Sequence, residues 1–433
     1  MKHALPVERL GPAGPVMAEA VQACVHCGFC LPTCPTYGEL GQEMDTPRGR
    51  IMLMKEALEE RLPLEETLPY VDKCLGCLAC ETSCPSGVEY RNLLGPFRER
   101  AEGMRKRRPV ESWRRRLLLA TLPKPGRFRL ALALGLLARR FGRIMPGRVR
   151  GMLDLLPERL PGRRPLPRVT GPEGAPRARV AMLAGCAQQV IEPEINHDVL
   201  AVLARNGVEV IVPEGQACCG ALGWHVGAGD HARALARTNL KAFPRDVDAV
   251  LTNAAGCGSG LLEYPLILKG EPEEEEAKRF AGMVMDWTVF LDGLGFEEPA
   301  ELKGVLRVDY QDACHLRHAQ GVTEAPRRLL RSVPGVELVE PAEPDLCCGS
   351  AGSYNLDKPE VAEGLGRRKV RDLLATGAEW VVSANVGCLT QVRACMRKEG
   401  KEGKDGPTVS HLAGFMRRAY EGSLPAGKIK GLK

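Results

Sequence analysis

The chain has 433 residues, 44% of them hydrophobic, with 60 Lys and Arg against 54 Asp and Glu. That apolar content is enough for packed cores, which excludes a disordered chain carrying metal knuckles, and the length predicts two to four domains. Seventeen cysteines, an odd number at ligand-like spacings, behind a start with no charged and apolar leader pattern, argue against a secreted disulfide scaffold and for a reducing, cytoplasmic setting.

In chain order the first feature is a repeated cysteine run, Cys24-Val-His-Cys27-Gly-Phe-Cys30-Leu-Pro-Thr-Cys34-Pro35 and Cys74-Leu-Gly-Cys77-Leu-Ala-Cys80-Glu-Thr-Ser-Cys84-Pro85. This is the C-x2-C-x2-C-x3-C-P spacing of two-cluster ferredoxins, in which three thiolates of each run grip one [4Fe-4S] cube and the fourth crosses to the other. Cluster one is therefore expected on Cys24, Cys27, Cys30 and Cys84, and cluster two on Cys74, Cys77, Cys80 and Cys34. Pro35 and Pro85 are expected to stop the local helix and turn the chain away. Zinc also binds C-x2-C pairs, but it closes with four ligands and has no use for a third cysteine at equal spacing. His26 lies inside the first loop, where it either hydrogen-bonds a cluster or packs beside it. Arg48 and Arg50, between the runs, either offset cluster charge or are solvated.

From Arg100 to Arg168 there are 20 basic and 4 acidic residues, so the rest of the chain is net acidic. Arginine clusters such as Arg105-Lys-Arg-Arg108, Arg114-Arg-Arg116 and Arg139-Arg140 alternate with Leu117-Leu-Leu119 and Leu130 to Leu137, apolar runs too short to span a bilayer. Two readings stay open: a basic amphipathic surface that meets anionic lipid or an acidic partner, or a connector whose leucines pack on neighbours. No groove-reading motif accompanies the charge, so nucleic acid is not an expected partner.

Beyond the Pro/Arg-rich stretch Leu160–Arg168 the chain repeats itself. Cys186, Cys218-Cys219-Gly220 and Cys257 recur as Cys314, Cys347-Cys348-Gly349 and Cys388, at a nearly constant offset of about 130 residues. Strand patterns at Val180–Leu183, Val208–Val212 and Ala249–Asn253, and again at Leu306–Tyr310, Val336–Val339 and Trp380–Asn385, alternate with helical ones at Asn196–Arg205 and Glu324–Arg331. The expected fold is α/β, with two parallel-sheet Cys-Cys-Gly units behind a mainly helical ferredoxin domain; the expected divisions are 1–100, 101–175, 176–300 and 301–433. Ligands in open α/β sheets gather at the carboxyl ends of the strands, where all eight repeat cysteines fall. Each set of four is a candidate iron-sulfur centre, a zinc or redox-active thiol site, or a group of buried core cysteines. Cys395 stands outside the pattern as a structural residue. His225, His315 and His318 follow repeat cysteines closely enough to donate to a cluster or move a proton, or merely to pack. No Gly-x-Gly-x-x-Gly opens a helix after a strand, so the chain shows no dinucleotide or flavin fingerprint.

The Cys-Cys-Gly units resemble the cysteine-rich domains of heterodisulfide reductase-type subunits. Their fusion to a two-cluster ferredoxin resembles the iron-sulfur subunit family of glycolate oxidase, also called glycolate dehydrogenase, through Ala23–Cys30, Thr33–Tyr37, Thr46–Ile51, Thr82–Val88, Gly185–Gln188 and Leu346–Gly352. The resemblance implies a complex in which flavin-bearing partners oxidise glycolate to glyoxylate while this subunit carries electrons toward a quinone, in the cytoplasm or peripherally on the membrane's inner face. It leaves two alternatives: the corresponding subunit of anaerobic glycerol 3-phosphate dehydrogenase, and a heterodisulfide reductase-like thiol reductase. The reductase form supplies a fifth thiolate to a non-cubane cluster, but Gly260 and Gln391 occupy those positions here.

Overall fold

A computed structural model of the chain describes residues 5–141, 147–401 and 406–425, so residues 142–146 of the basic segment lie outside the described residues. Two parallel sheets carry the repeats. The first contains β1 (Val169–Thr170), β2 (Ala178–Met182), β3 (Val208–Ile211), β4 (Ala249–Thr252) and β5 (Val284–Asp286) in the order β1-β3-β2-β4-β5. Only β1 runs antiparallel, against β3. The second contains β6 (Leu306–Gln311), β7 (Val336–Val339), β8 (Trp380–Ser383) and β9 (Thr408–His411) in the order β7-β6-β8-β9, all parallel. The central strands read as continuous apolar runs because helices cover both faces; Ala249, Val250 and Leu251 are fully buried.

Setting β2-β3-β4-β5 against β6-β7-β8-β9 shows that the two sheets are the same fold unit. Each first strand is followed by a helix (Glu194–Arg205 or Glu324–Arg331) and each last strand by another (Trp287–Leu294 or Leu412–Tyr420). These helices pack reciprocally, Glu194–Arg205 on Leu412–Tyr420 and Glu324–Arg331 on Trp287–Leu294. That is the pattern of a pseudo-two-fold axis, here within one chain. Arg417 pairs with Asp198 at 3.0 Å across one contact, and Arg328 Nε donates to Asp292 at 2.7 Å across the other. One continuous core results, in which Val180, Leu203 and Val210 of the first unit meet Val308, Trp380 and Phe415 of the second.

The N-terminal part is helical, with Met17, Val21, Met54, Val71, Leu93 and Phe97 forming its core. Pro35 departs from expectation: it opens the helix Pro35–Leu40 at its first position instead of stopping one. The missing proline N–H is no loss there, because that amide has no partner inside a helix in any case. The basic segment forms helices Pro109–Thr121, Pro125–Arg139 and Gly147–Asp154. Phe128 and Leu132 anchor the second of these against Val190, just beyond Cys186.

Candidate metal centres

The two cysteine runs adopt one backbone twice. The third and fifth residues of each run are left-handed: His26 (φ 55°) and Gly28 (89°) in the first, Gly76 (65°) and Leu78 (63°) in the second. One of each pair is not glycine, although a left-handed L-residue costs about 1–2 kcal/mol. The loop geometry is thus imposed against local preference.

This backbone rings two cavities with cysteines from both runs. Cys24, Cys27 and Cys30 line a cavity together with Cys80 and Cys84 from the second run. Cys74, Cys77 and Cys80 line an adjoining cavity together with Cys34 from the first run. Among the described residues no three His, Cys, Asp or Glu side chains converge as tightly as a single ion requires. Thiols ringing a cavity fit a cube, whose four iron corners need sulfurs spread around it. Backbone donors complete the fit: Gly76 N–H reaches Cys74 Sγ at 3.4 Å and Val88 N–H reaches Cys84 Sγ at 3.5 Å.

The settings of the two cavities differ. Around the first, Val25, Cys27 and Phe29 are exposed, and the partly exposed Arg48 donates to the carbonyl of His26 at 3.1 Å. Burial raises the Cys24 thiol, against a backbone donor at His26. Beside the second cavity Arg50 is fully buried, donating to Tyr70 O at 2.9 Å, pairing with Asp45 at 3.4 Å and pointing at Cys34 Sγ at 3.8 Å. Lys73 neutralises the same buried Asp45 at 3.0 Å. Burial pushes Cys77 and Cys80 well above the ordinary thiol range. Burial acts the same way on Cys74, but the guanidinium groups of Arg50 and Arg98 outweigh it and draw this thiol down. Neither Asp45 nor Tyr90, whose hydroxyl lies 3.8 Å from Cys74 Sγ, had a sequence signal beyond lying near the runs.

In the repeats each set of four cysteines follows the carboxyl ends of three adjacent strands. Cys186 Sγ and Cys218 Sγ stand 3.3 Å apart, with Cys219 buried beside them. In the second repeat Cys347, Cys348 and Cys388 are buried, and Cys388 Sγ accepts from Asn385 at 3.3 Å. The glycine after each cysteine pair is left-handed, and a side chain at Gly349 would stand 2.5 Å from the carbonyl of Ala362. A cysteine at Gly260 would press on Ala221 at 2.7 Å, and Gln391 donates to Ala362 O while accepting from Asn355. The two positions lacking a fifth thiol are filled by packing and amide bonds. Cys395 is buried between Gln391 and Gly366.

The second ferredoxin loop is wedged into the repeats. Leu75 and Cys77 pack with Cys314, Leu346 and Cys347, and Tyr354 donates to Lys73 O at 3.0 Å. After Cys314 the chain makes a π-helical turn, His315–Ala319, a rare form often found at functional sites. His315 Nε2 contacts the Gly76 carbonyl at 3.0 Å and its Nδ1 contacts Ser259 Oγ at 2.6 Å. This ring therefore ties the second cysteine run to a helix that carries Cys257. His225 stands edge-on to it at 5.2 Å. Burial holds both rings neutral, with His315 pulled down to about 4 and His225 to about 3. His318 Nδ1 meets Thr82 Oγ1 at 2.8 Å. His26 Nδ1 lies 4.0 Å from Cys24 Sγ.

Comparison with known proteins agrees with this construction. Residues 20–88 match the 4Fe-4S dicluster domain family, and residues 180–261 and 308–393 the cysteine-rich domain family. Over 415 residues the chain is 39% identical to the probable glycolate oxidase iron-sulfur subunit of Bacillus subtilis (strain 168), covering 92% of this chain and 93% of that one. The chain belongs to the glycolate oxidase iron-sulfur subunit family. The glycolate oxidase iron-sulfur subunit of Escherichia coli (strain K12) is 37% identical over 386 residues, 87% of this chain and 91% of that protein. A crystal structure of a hypothetical protein from Helicobacter pylori shares the fold at a TM-score of 0.50 and 11% identity, covering 95% of this chain and 72% of that one. As a member of the family the chain is an iron-sulfur component of an oxidoreductase, with a ferredoxin-type dicluster domain and two cysteine-rich domains.

Proposed function

We propose that this chain is the electron-transfer subunit of a flavin-linked glycolate dehydrogenase, taking electrons from flavin-bearing partners and passing them toward a quinone from the cytoplasmic side. The domain divisions 1–100, 101–175, 176–300 and 301–433 and the crossed ligand sets belong to the same proposal. Cys24, Cys27, Cys30 and Cys84 would hold one [4Fe-4S] cluster and Cys74, Cys77, Cys80 and Cys34 the other. Cys186, Cys218, Cys219 and Cys257, with Cys314, Cys347, Cys348 and Cys388, are the candidate ligands of further iron-sulfur centres. Such clusters carry one electron at a time, which lets a two-electron oxidation at a flavin feed a distant acceptor.

The observation that carries this reading is the placement of the second cysteine run. Its loop lies between the exposed first run and the cysteines of the second repeat, so the chain's own residues form a continuous line from surface to interior. Arg50, Asp45 and Lys73 supply the buried charges beside that line. His315 extends it to the first repeat through Ser259. A thiol reductase is the weaker reading, because Gly260 and Gln391 leave each repeat one thiolate short.

The test is reduction of the purified complex. Glycolate added to the chain with its flavin partners should produce the electron paramagnetic resonance signals of reduced clusters. The isolated chain should accept electrons from dithionite yet leave glycolate untouched. Glycolate turnover by the isolated chain, or unreduced clusters in a complex whose flavin has been reduced, would overturn the proposal.

A further inference from the structure

We infer that helices Pro109–Thr121 and Pro125–Arg139 lay their outer faces on an anionic lipid bilayer, placing the first repeat's cysteines beside the membrane. This deepens, and rests on, the reading that electrons leave toward a quinone. Thirteen large apolar side chains are exposed among the described residues, and seven of them fall in this short stretch. Val110, Trp113 and Leu117 are 50–69% exposed, and Leu130, Leu134, Leu137 and Phe141 are 57–62% exposed. At about 100° per residue the first three share one narrow helical face, and the last four, running one turn beyond the second helix, share another. Each stripe lies opposite an inward face already occupied: Arg115 reaches Glu102 at 3.3 Å and Val226 O at 2.8 Å, and Phe128 and Leu132 pack on Val190.

Charge selects the occupant. The inward arginines are neutralised, Arg105 by Asp72 at 2.5 Å and Arg107 by Glu102 at 2.7 Å. Among the described residues, the exposed Arg108, Arg116, Arg127 and Arg140 have no acidic side-chain partner. A protein groove that receives an amphipathic helix grips one stripe. Two successive apolar stripes edged by unpaired guanidinium groups, with a tryptophan at the margin, fit a surface that is apolar beneath and anionic above. Among the described residues no helix is long and apolar enough to cross a membrane, so the contact lies on the bilayer. The same helices cover the first repeat: Ala187, Val190 and Ile191, packed with Phe128 and Leu132, follow Cys186 directly.

The experiment uses the purified complex and vesicles of phosphatidylcholine, with or without phosphatidylglycerol. Of the chain's four tryptophans, Trp224, Trp287 and Trp380 are buried, so a change lost in Trp113→Phe reports on this face alone. The complex should float with the anionic vesicles only, with a blue shift in emission that Trp113→Phe abolishes. A Leu130→Gln, Leu134→Gln, Leu137→Gln variant, verified as folded by circular dichroism, should lose at least about tenfold in vesicle affinity while still joining its partners. The inference is overturned if the parent complex ignores anionic vesicles, if it binds them with Trp113 emission unchanged, or if the triple variant no longer assembles, which would make the stripe a subunit interface. Glycolate-driven reduction of a water-soluble quinone analogue, assayed alongside without vesicles, reads the proposed function separately.

Discussion

Cys27 sits at the surface between Val25 and Phe29, 66% and 65% exposed, whereas at the equivalent place in the second run Leu75 is 7% exposed and packs with Cys77 against Cys314 and Cys347. The two loops have the same spacing and the same pair of left-handed residues, so a cluster would meet the same primary geometry in each. The difference lies in charge and solvent, which tune an iron-sulfur centre as strongly as its ligands do. On the proposed function, the exposed first run would exchange electrons with another molecule. The second, walled in by the repeats and by Arg50, would then hand them inward.

The hardest test of this comparison is the crossing itself. Cys34→Ser should perturb the cluster of the second cavity and Cys84→Ser that of the first, each seen as loss or change of one reduced signal in electron paramagnetic resonance. Loss of the cluster belonging to the mutated residue's own run would break the pairing on which the comparison rests.

The arginines sharpen it next. Arg50→Met leaves Asp45 buried with only the partly exposed Lys73, and removing one partner of a buried pair costs about 3–5 kcal/mol. Arg48→Met, beside the first run, breaks a partly exposed pair with Glu43 and should cost less than about 1 kcal/mol. Denaturant melts of the loaded protein measure both, and equal losses would remove the distinction between the two settings.

His315 offers a smaller, more local effect. His315→Phe keeps a ring but removes the contacts to Gly76 and Ser259. A lost hydrogen bond is worth about 1 kcal/mol, or a few tens of millivolts for one electron. The midpoint potential of the second cluster should move by that order while the first stays put, with His315→Gln recovering part of the shift. A shift confined to the first cluster, or shared equally by both, would show that the ring does not act through the second loop.

The smallest effect is on pH dependence. Glu263, near Arg91 and Glu81 of the second run, is raised by burial to about 7. The folded protein therefore keeps a proton there that the unfolded chain releases near 4.5. Its contribution to stability is complete below pH 4.5 and is lost as pH rises through 7. Glu263→Gln should flatten the stability profile between pH 5 and 8, and an unchanged slope would show that another group sets it.

Much of this was legible in the chain because ligand spacing and strand pattern are local. The two cysteine runs, the two repeated units and the strands leading to each repeat cysteine follow from residues read in order, with strand and helix ends displaced by one or two positions. Pro35 opens a helix where a stop is expected, because a proline after a ligand suits a helix start as well as a helix end. Neither β5, β9 nor the π-helical turn at His315 has a distinctive local pattern. The contacts of Gly76, Tyr354 and Ser259 join segments far apart in the sequence and depend on how the ferredoxin part docks. The exposed stripes were half visible: leucines and arginines alternate plainly, but which face the protein leaves uncovered is a tertiary fact.

In the proposed assignment the first cluster lies at the surface and the second inside. Power saturation of both reduced signals, with and without a soluble dysprosium chelate, tests it directly. Strongly faster relaxation is expected for the cluster that Cys84→Ser removes and little change for the one that Cys34→Ser removes. Equal enhancement of both, or a larger effect on the second, would contradict it.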